Sequence, residues 1–257
     1  MQPTTPGENR TGAAVAEDGV RAMLEANERW APAQPLDMTL SDADRGSYIL
    51  ASDSLGSIPP PVTIHGMLKT GFDKLIGERP DVLMDKIGER IAFERTGTRL
   101  YDALILKYQV LTQEEADMPV LTTPLDQDGQ DTASTLQLIR TQEHEHFLML
   151  SEAMRSLGGD PTAQTPCADV AATASMGLMQ VVTDPRTTFA QSLNAILIAE
   201  LTDNAGWELL ISLAQDAGES DLVQQFERAL EEEEEHLVIV KSWVAALTAA
   251  STPTVAA

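Results

Sequence analysis

The 257-residue chain predicts an all-α fold: a four-helix bundle with one long crossover connection and an N-terminal extension. Three observations carry this expectation. Four long segments repeat apolar side chains at helical spacing, so each has one stripe to bury. The connector between the third and fourth segments is short, which makes them antiparallel neighbours, whereas the one between the second and third is long enough to travel the length of a bundle. Each of the four stripes also carries a glutamate near its middle, and in two of them a histidine follows three residues later.

Residues 1–80 read as an extension. A polar start leads into a short helix from Ala14 to Trp30. The stretch from Ala31 to Pro61 is rich in Pro, Ser, Asp and Gly, ends in Ile58-Pro59-Pro60-Pro61, and reads as an extended connector. A second short helix is expected from His65 to Ile76, stopped by Gly77 and Pro80.

The bundle occupies 81–248. Its first helix runs from Val82 to Tyr108, with Ile87, Ile91, Glu94, Thr98, Tyr101 and Ile105 on one stripe. Its second runs from Thr132 to Leu157, with Leu136, Ile139, Glu143, His146, Leu150 and Met154, and stops at Gly158-Gly159-Asp160-Pro161. The third runs from Thr187 to Gln215, with Leu193, Leu197, Glu200, Asn204, Trp207 and Ile211. The fourth runs from Asp221 to Leu247, with Phe226, Ala229, Glu233, His236, Val240 and Trp243. Residues 111–131 form an unusually long connector, residues 158–186 the crossover, and residues 249–257 a disordered tail.

Composition narrows the function classes. Forty acidic against 17 basic side chains leave a net charge of −23, which argues against nucleic acid and anionic membranes as partners and favours cations. One cysteine, Cys167, excludes an internal disulfide and a cysteine-built zinc or iron–sulfur site within one chain. The first twenty residues hold no basic stretch followed by an apolar core, and no segment approaches ~18 apolar residues in a row. A cytoplasmic location is the expectation.

A single Glu-x-x-His is weak evidence, because most such pairs on helices are surface hydrogen-bonding pairs. The second pair also lies within the run Glu231–Glu235, where solvation is the ordinary reading. Position changes this. Glu94, Glu143, His146, Glu200, Glu233 and His236 all fall on apolar stripes near mid-helix, where a lone buried carboxylate is costly unless something neutralises it. Residues three apart on a helix share a face, so each Glu-x-x-His can offer a carboxylate and an imidazole to one metal. The competing reading is a buried polar network without metal.

The order Glu, Glu-x-x-His, Glu, Glu-x-x-His over residues 82–247 resembles the ferritin-like diiron superfamily, of the bacterioferritin and rubrerythrin type. The resemblance implies a ferritin-like bundle holding two iron ions per chain, with manganese as the other candidate. It makes Glu94 and Glu200 terminal ligands, Glu143 and Glu233 bridging ligands, and His146 and His236 one imidazole for each metal. Tyr101 matches the near-site tyrosine of ferritins and bacterioferritins, which makes it either a source of an electron during oxygen reduction or a core aromatic. Trp207, at the same offset from Glu200, reads as a core aromatic.

Asp203, one turn past Glu200, either accepts a hydrogen bond from a ligand imidazole or stands as a surface carboxylate. Gly97 either opens space at the site or allows close packing. His144 stands where bacterioferritins carry the haem-ligating methionine but points about 100° off the ligand stripe, so haem is not expected. Glu232 and Glu235 can enter the site by helix rotation or a carboxylate shift but read first as solvated, and Cys167 reads as a bystander.

Four carboxylates and two histidines suit iron or manganese better than zinc. The resemblance then implies oxidation of Fe(II) with reduction of O2 or H2O2, in iron handling or oxidative-stress defence. Peroxide disproportionation like that of manganese catalases, a diiron oxygenase acting on an organic substrate, and a non-enzymatic iron-sequestering bundle are the alternatives. A second copy of the chain is a further expected partner. The extension and the 111–131 connector argue against the compact subunit of a standard cage, and one cysteine cannot build the rubredoxin domain of rubrerythrins.

Overall fold

The computed structural model describes residues 17–34, 37, 39–51, 80–113, 121 and 131–250, all of whose regular elements are α-helices. The chain divides into two units, residues 1–54 and 55–257. The first holds α1 (Glu17–Trp30) and α2 (Thr39–Ala51). Helix α1 matches the expected short helix. Helix α2 corrects the expectation of a connector from Ala31 to Pro61. The Asp37 carboxylate accepts the Thr39 backbone N–H at 3.0 Å, starting a helix within a segment whose Ser, Asp and Gly content reads as loop. The helix expected from His65 to Ile76, most of the 111–131 connector and residues 251–257 lie outside the described residues.

The second unit contains α3 (Pro80–Gln113), α4 (Thr132–Ser156), α5 (Pro166–Thr183), α6 (Phe189–Asp216) and α7 (Ser220–Ala250). The four expected bundle helices are therefore α3, α4, α6 and α7. Local signals set their ends. Asp131 caps α4 by accepting the Ser134 N–H at 2.8 Å, and Thr188 with Gln191 forms a reciprocal capping box on α6. Gly158 and Gly218 adopt φ of 84° and 71° just past α4 and α6, the left-handed conformation that closes a helix end.

The crossover runs the length of the bundle as expected, and most of 158–186 is the helix α5. Thr165 caps it and Pro166 opens it, a Thr-Pro start followed by a run without further proline until Pro185. Thr165 Oγ1 donates to the Asp85 carbonyl, and the Cys167 N–H donates to the Asp85 carboxylate at 2.9 Å. Gly88 leaves the room that Thr165 fills. At the far end, the Lys107 ammonium donates to the carbonyls of Asp184 and Thr187 and to the Ser192 hydroxyl. Both ends of α5 are thus pinned to α3, which it follows in parallel. Helices α4 and α6 run against α3, and α7 runs against both, so the bundle directions are up, down, down, up.

The core has two apolar clusters. One gathers Leu100, Leu104, Leu136, Ile139, Leu193, Ile196, Val240 and Trp243. The other gathers Leu83, Ile87, Ile91, Leu150, Met154, Trp207, Leu210 and Phe226. Every bundle helix contributes to both, and the stripe residues between the two clusters are the carboxylates and imidazoles picked out in the sequence.

Candidate metal centre

Glu94, Glu143, His146, Glu200, Glu233 and His236 all come together in the layer between the clusters. Glu94 and Glu233 are fully buried, and the other four are at most 4% exposed. Ligand-type atoms of Glu143, Glu200, Glu233 and His236 lie within 4.8 Å of one another, as do those of Glu94, His146 and Glu233. Glu233 belongs to both groups and touches both imidazoles: its carboxylate pairs with His146 Nδ1 at 2.8 Å and with His236 Nδ1 at 3.1 Å. The imidazole rings are 6.3 Å apart, centroid to centroid.

One oxygen of each of Glu94, Glu143 and Glu200 (Oε2 in all three) is buried without a hydrogen-bond partner among the described residues. Orphaned carboxylate oxygens are costly, and three of them in one layer ask for a cation. The electrostatics agree. Burial pushes Glu94 up to about 7 against the pull of the Arg90 guanidinium. Burial, with the charges of neighbouring carboxylates, raises Glu143 and Glu200 well above the usual range. Burial would also raise Glu233, but His236 and His146 hold it below that range. Burial would lower His146, yet Glu233 and Glu94 drive it up to about 9. Without a metal, the layer therefore keeps its charge down by holding protons.

Tyr101 is buried and its hydroxyl donates to Glu200 Oε1, so the tyrosine matched by resemblance lies against a candidate ligand. Trp207 is a core residue whose ring also packs edge-on against His146, centroids 5.5 Å apart. Gly97 resolves toward close packing: a side chain there would collide with the Glu143 carboxylate. Gly97→Ala is expected to displace Glu143 and weaken metal uptake by about tenfold or more, with far-UV circular dichroism unchanged. Equilibrium dialysis checks this.

Other positions fall differently from expectation. Asp203 is buried but reaches no imidazole; its carboxylate takes a hydrogen bond from Arg90, which also bonds Glu94 Oε1 at 2.6 Å. The imidazole partners are Glu232 and Gln142. Glu232 Oε2 lies 2.8 Å from His146 Nε2, and Gln142 Oε1 lies 3.0 Å from His236 Nε2. Glu232, read as solvated, keeps its side chain 42% exposed while touching the site. Of Gln142, Glu232 and Arg90, only Glu232 is weighed in the sequence, where it reads as solvated. A signal existed for the first two: each immediately precedes the glutamate of a Glu-x-x-His, so the repeated unit is one residue longer than the ligand motif. Glu235 is exposed. His144 is also exposed, stacked on Phe147 away from the layer. Cys167 is half-buried, with burial and Asp85 raising its thiol, the opposite of activation.

A four-helix bundle with a long crossover and a buried layer of four glutamates and two histidines has the architecture of ferritin-like proteins. Residues 126–249, just under half of the chain, match the Ferritin family model, described as a ferritin-like domain. That segment spans α4 to α7 and five of the six candidate ligands; Glu94, on α3, lies outside it. No curated protein and no solved structure matches the chain significantly.

Proposed function

We propose that this layer holds two redox-active divalent ions, iron first and manganese second, and uses them to oxidise Fe(II) while reducing O2 or H2O2. The observation that carries the reading is the convergence of four buried carboxylates and two imidazoles with three carboxylate oxygens left unpaired. Glu94, Glu143, His146 and Glu233 would hold one ion, and Glu143, Glu200, Glu233 and His236 the other. Bound iron or manganese would supply one-electron redox chemistry toward oxygen or peroxide.

The protein's own groups have defined tasks. Glu233 orients both imidazoles before any ion arrives. Glu232 and Gln142 fix the outer nitrogens of those imidazoles, which holds ring orientation and tautomer. The apolar clusters on either side exclude water and keep the local dielectric low. Tyr101 holds a proton at Glu200 Oε1, where it can give a proton or an electron to the site. Glu232, partly exposed, leads from His146 toward solvent and offers a path for protons.

The test is turnover. Protein loaded anaerobically with Fe(II) and then given O2 or H2O2 is expected to oxidise further Fe(II) over many cycles. Stoichiometric binding without turnover would instead support a sequestering bundle, and rapid disproportionation of H2O2 by manganese-loaded protein would support the catalase-like alternative. Tyr101→Phe is expected to keep the metal complement and slow oxidation by about tenfold or more, read by stopped-flow absorbance.

A further inference from the structure

Arg90 is a buried cation, 2% exposed, at the edge of an acidic layer that the proposed function fills with metal. Its Nη2 donates to Glu94 Oε1 and to Asp203 Oδ1, while its Nε is buried without a partner. The guanidinium carbon sits 4.3 Å from the Phe93 ring centroid and 5.8 Å from that of Trp207. Gly206 supplies the remaining space: a side chain there would lie 2.6 Å from Nη1. Two helices are thus shaped around this one group.

Burying arginine is costly unless it is paired, and one carboxylate would suffice. Arg90 has two, and one of them is a candidate ligand. With Asp203 included, the layer holds five carboxylates against one guanidinium, and the excess equals the charge of two divalent ions. Oxygens of Glu94, Glu143, Asp203 and Glu233 lie within 4.8 Å of one another, a cation site in their own right but for the guanidinium already bonded to two of them. The other group, Glu143, Glu200, Glu233 and His236, makes no hydrogen bond to Arg90.

We infer that Arg90 is a resident cation and positioning residue. It neutralises Asp203, leaves Glu94 only Oε2 to offer, and makes the Glu94–His146 position the weaker of the two metal positions. This inference rests on the dinuclear reading. Ions then bind in order, first beside His236 and second beside His146.

The experiment is anaerobic titration of the full chain with Co(II), following ligand-field absorption and bound metal by dialysis. The wild type is expected to take two equivalents, the second at least about tenfold more weakly than the first. Arg90→Gln frees Asp203 and Glu94 and should tighten the second step by about tenfold or more, leaving the first nearly unchanged. Asp203→Asn leaves the guanidinium unbalanced and should weaken the second step by a similar factor, which keeps the inference testable if Arg90→Gln does not fold. A purely structural Arg90 would not move these steps in opposite directions. A second step unchanged in either folded variant overturns the inference while leaving the dinuclear centre standing. A wild type that takes no Co(II) overturns both.

Discussion

Glu233→Ala is expected to abolish metal binding at both positions and to lower the stability of the metal-free protein. Among the described residues no other side chain reaches both imidazoles: Glu233 lies 2.8 Å from His146 Nδ1 and 3.1 Å from His236 Nδ1. It is fully buried, and the imidazoles hold it ionised. Removing it takes from His146 one of its two hydrogen-bonded carboxylates, the buried one, and from His236 its hydrogen-bonded carboxylate. Breaking a buried pair in this way costs about 3–5 kcal/mol, a fall in Tm of about 10 °C for a protein of this size. Losing an outer partner of a ligand costs about 10–100-fold in affinity, so losing the shared ligand itself should exceed that. Calorimetry of the metal-free variant and elemental analysis after anaerobic loading check the two halves separately. Retention of two ions per chain by Glu233→Ala would show that the ligand assignment fails at its centre.

Metal-free protein should lose stability as pH rises, the reverse of what most carboxylates produce. Glu94 titrates at about 7 in the fold, and Glu143 and Glu200 well above their ordinary range. Above about pH 4.3 the unfolded chain has given up these protons while the fold still holds them, so each added pH unit favours unfolding until the folded groups titrate. His146 acts in the same direction: its folded value of about 9 lies above the unfolded one, so its contribution is complete below about 6.5 and lost as pH rises through 9. Glu233 opposes them only in acid, below the ordinary carboxylate range. One pH unit of displacement is worth about 1.4 kcal/mol, and Glu94 and His146 alone should lower Tm by about 10 °C or more between pH 5.5 and 8.5, with Glu143 and Glu200 adding to the fall.

Metal reverses this trend. Ions must displace the protons from Glu94, Glu143, Glu200 and His146, so uptake should tighten with pH and the stabilisation by metal should grow over the same interval. Thermal scans of metal-free and metal-loaded protein across that range, with proton release measured on loading, provide the check. A metal-free Tm that rises from pH 5.5 to 8.5 would contradict the buried-proton account of the layer.

Much of this architecture was legible in the sequence because a long amphipathic helix advertises both its period and its buried face. The stripes through Glu94, Glu143, Glu200 and Glu233 place six side chains at one height from periodicity alone, and their convergence follows from packing four such stripes together. Glu233 could be told from its four neighbours in Glu231–Glu235 because only one helical face points inward. What stayed hidden has equally physical reasons. Helix α5 exposes much of its length and buries only Ala168 and Val182, so it shows no clean stripe. Helix α2 has Leu40, Tyr48, Ile49 and Leu50 exposed, so no buried face announced it either. The roles of Asp203 and Arg90 depend on a contact between α3 and α6 that one-helix periodicity cannot express. Glu232 flanks the buried stripe, where a long side chain can touch both water and the site, and its reading as solvated caught one half of that.

The central claim is that the buried layer is a dinuclear metal centre and not a metal-free polar network. Elemental analysis of protein loaded anaerobically with Fe(II) and freed of excess ion tests it most directly. About two iron ions per chain are expected, falling to none in Glu233→Ala. Protein that remains folded yet retains neither iron nor manganese after such loading would contradict it.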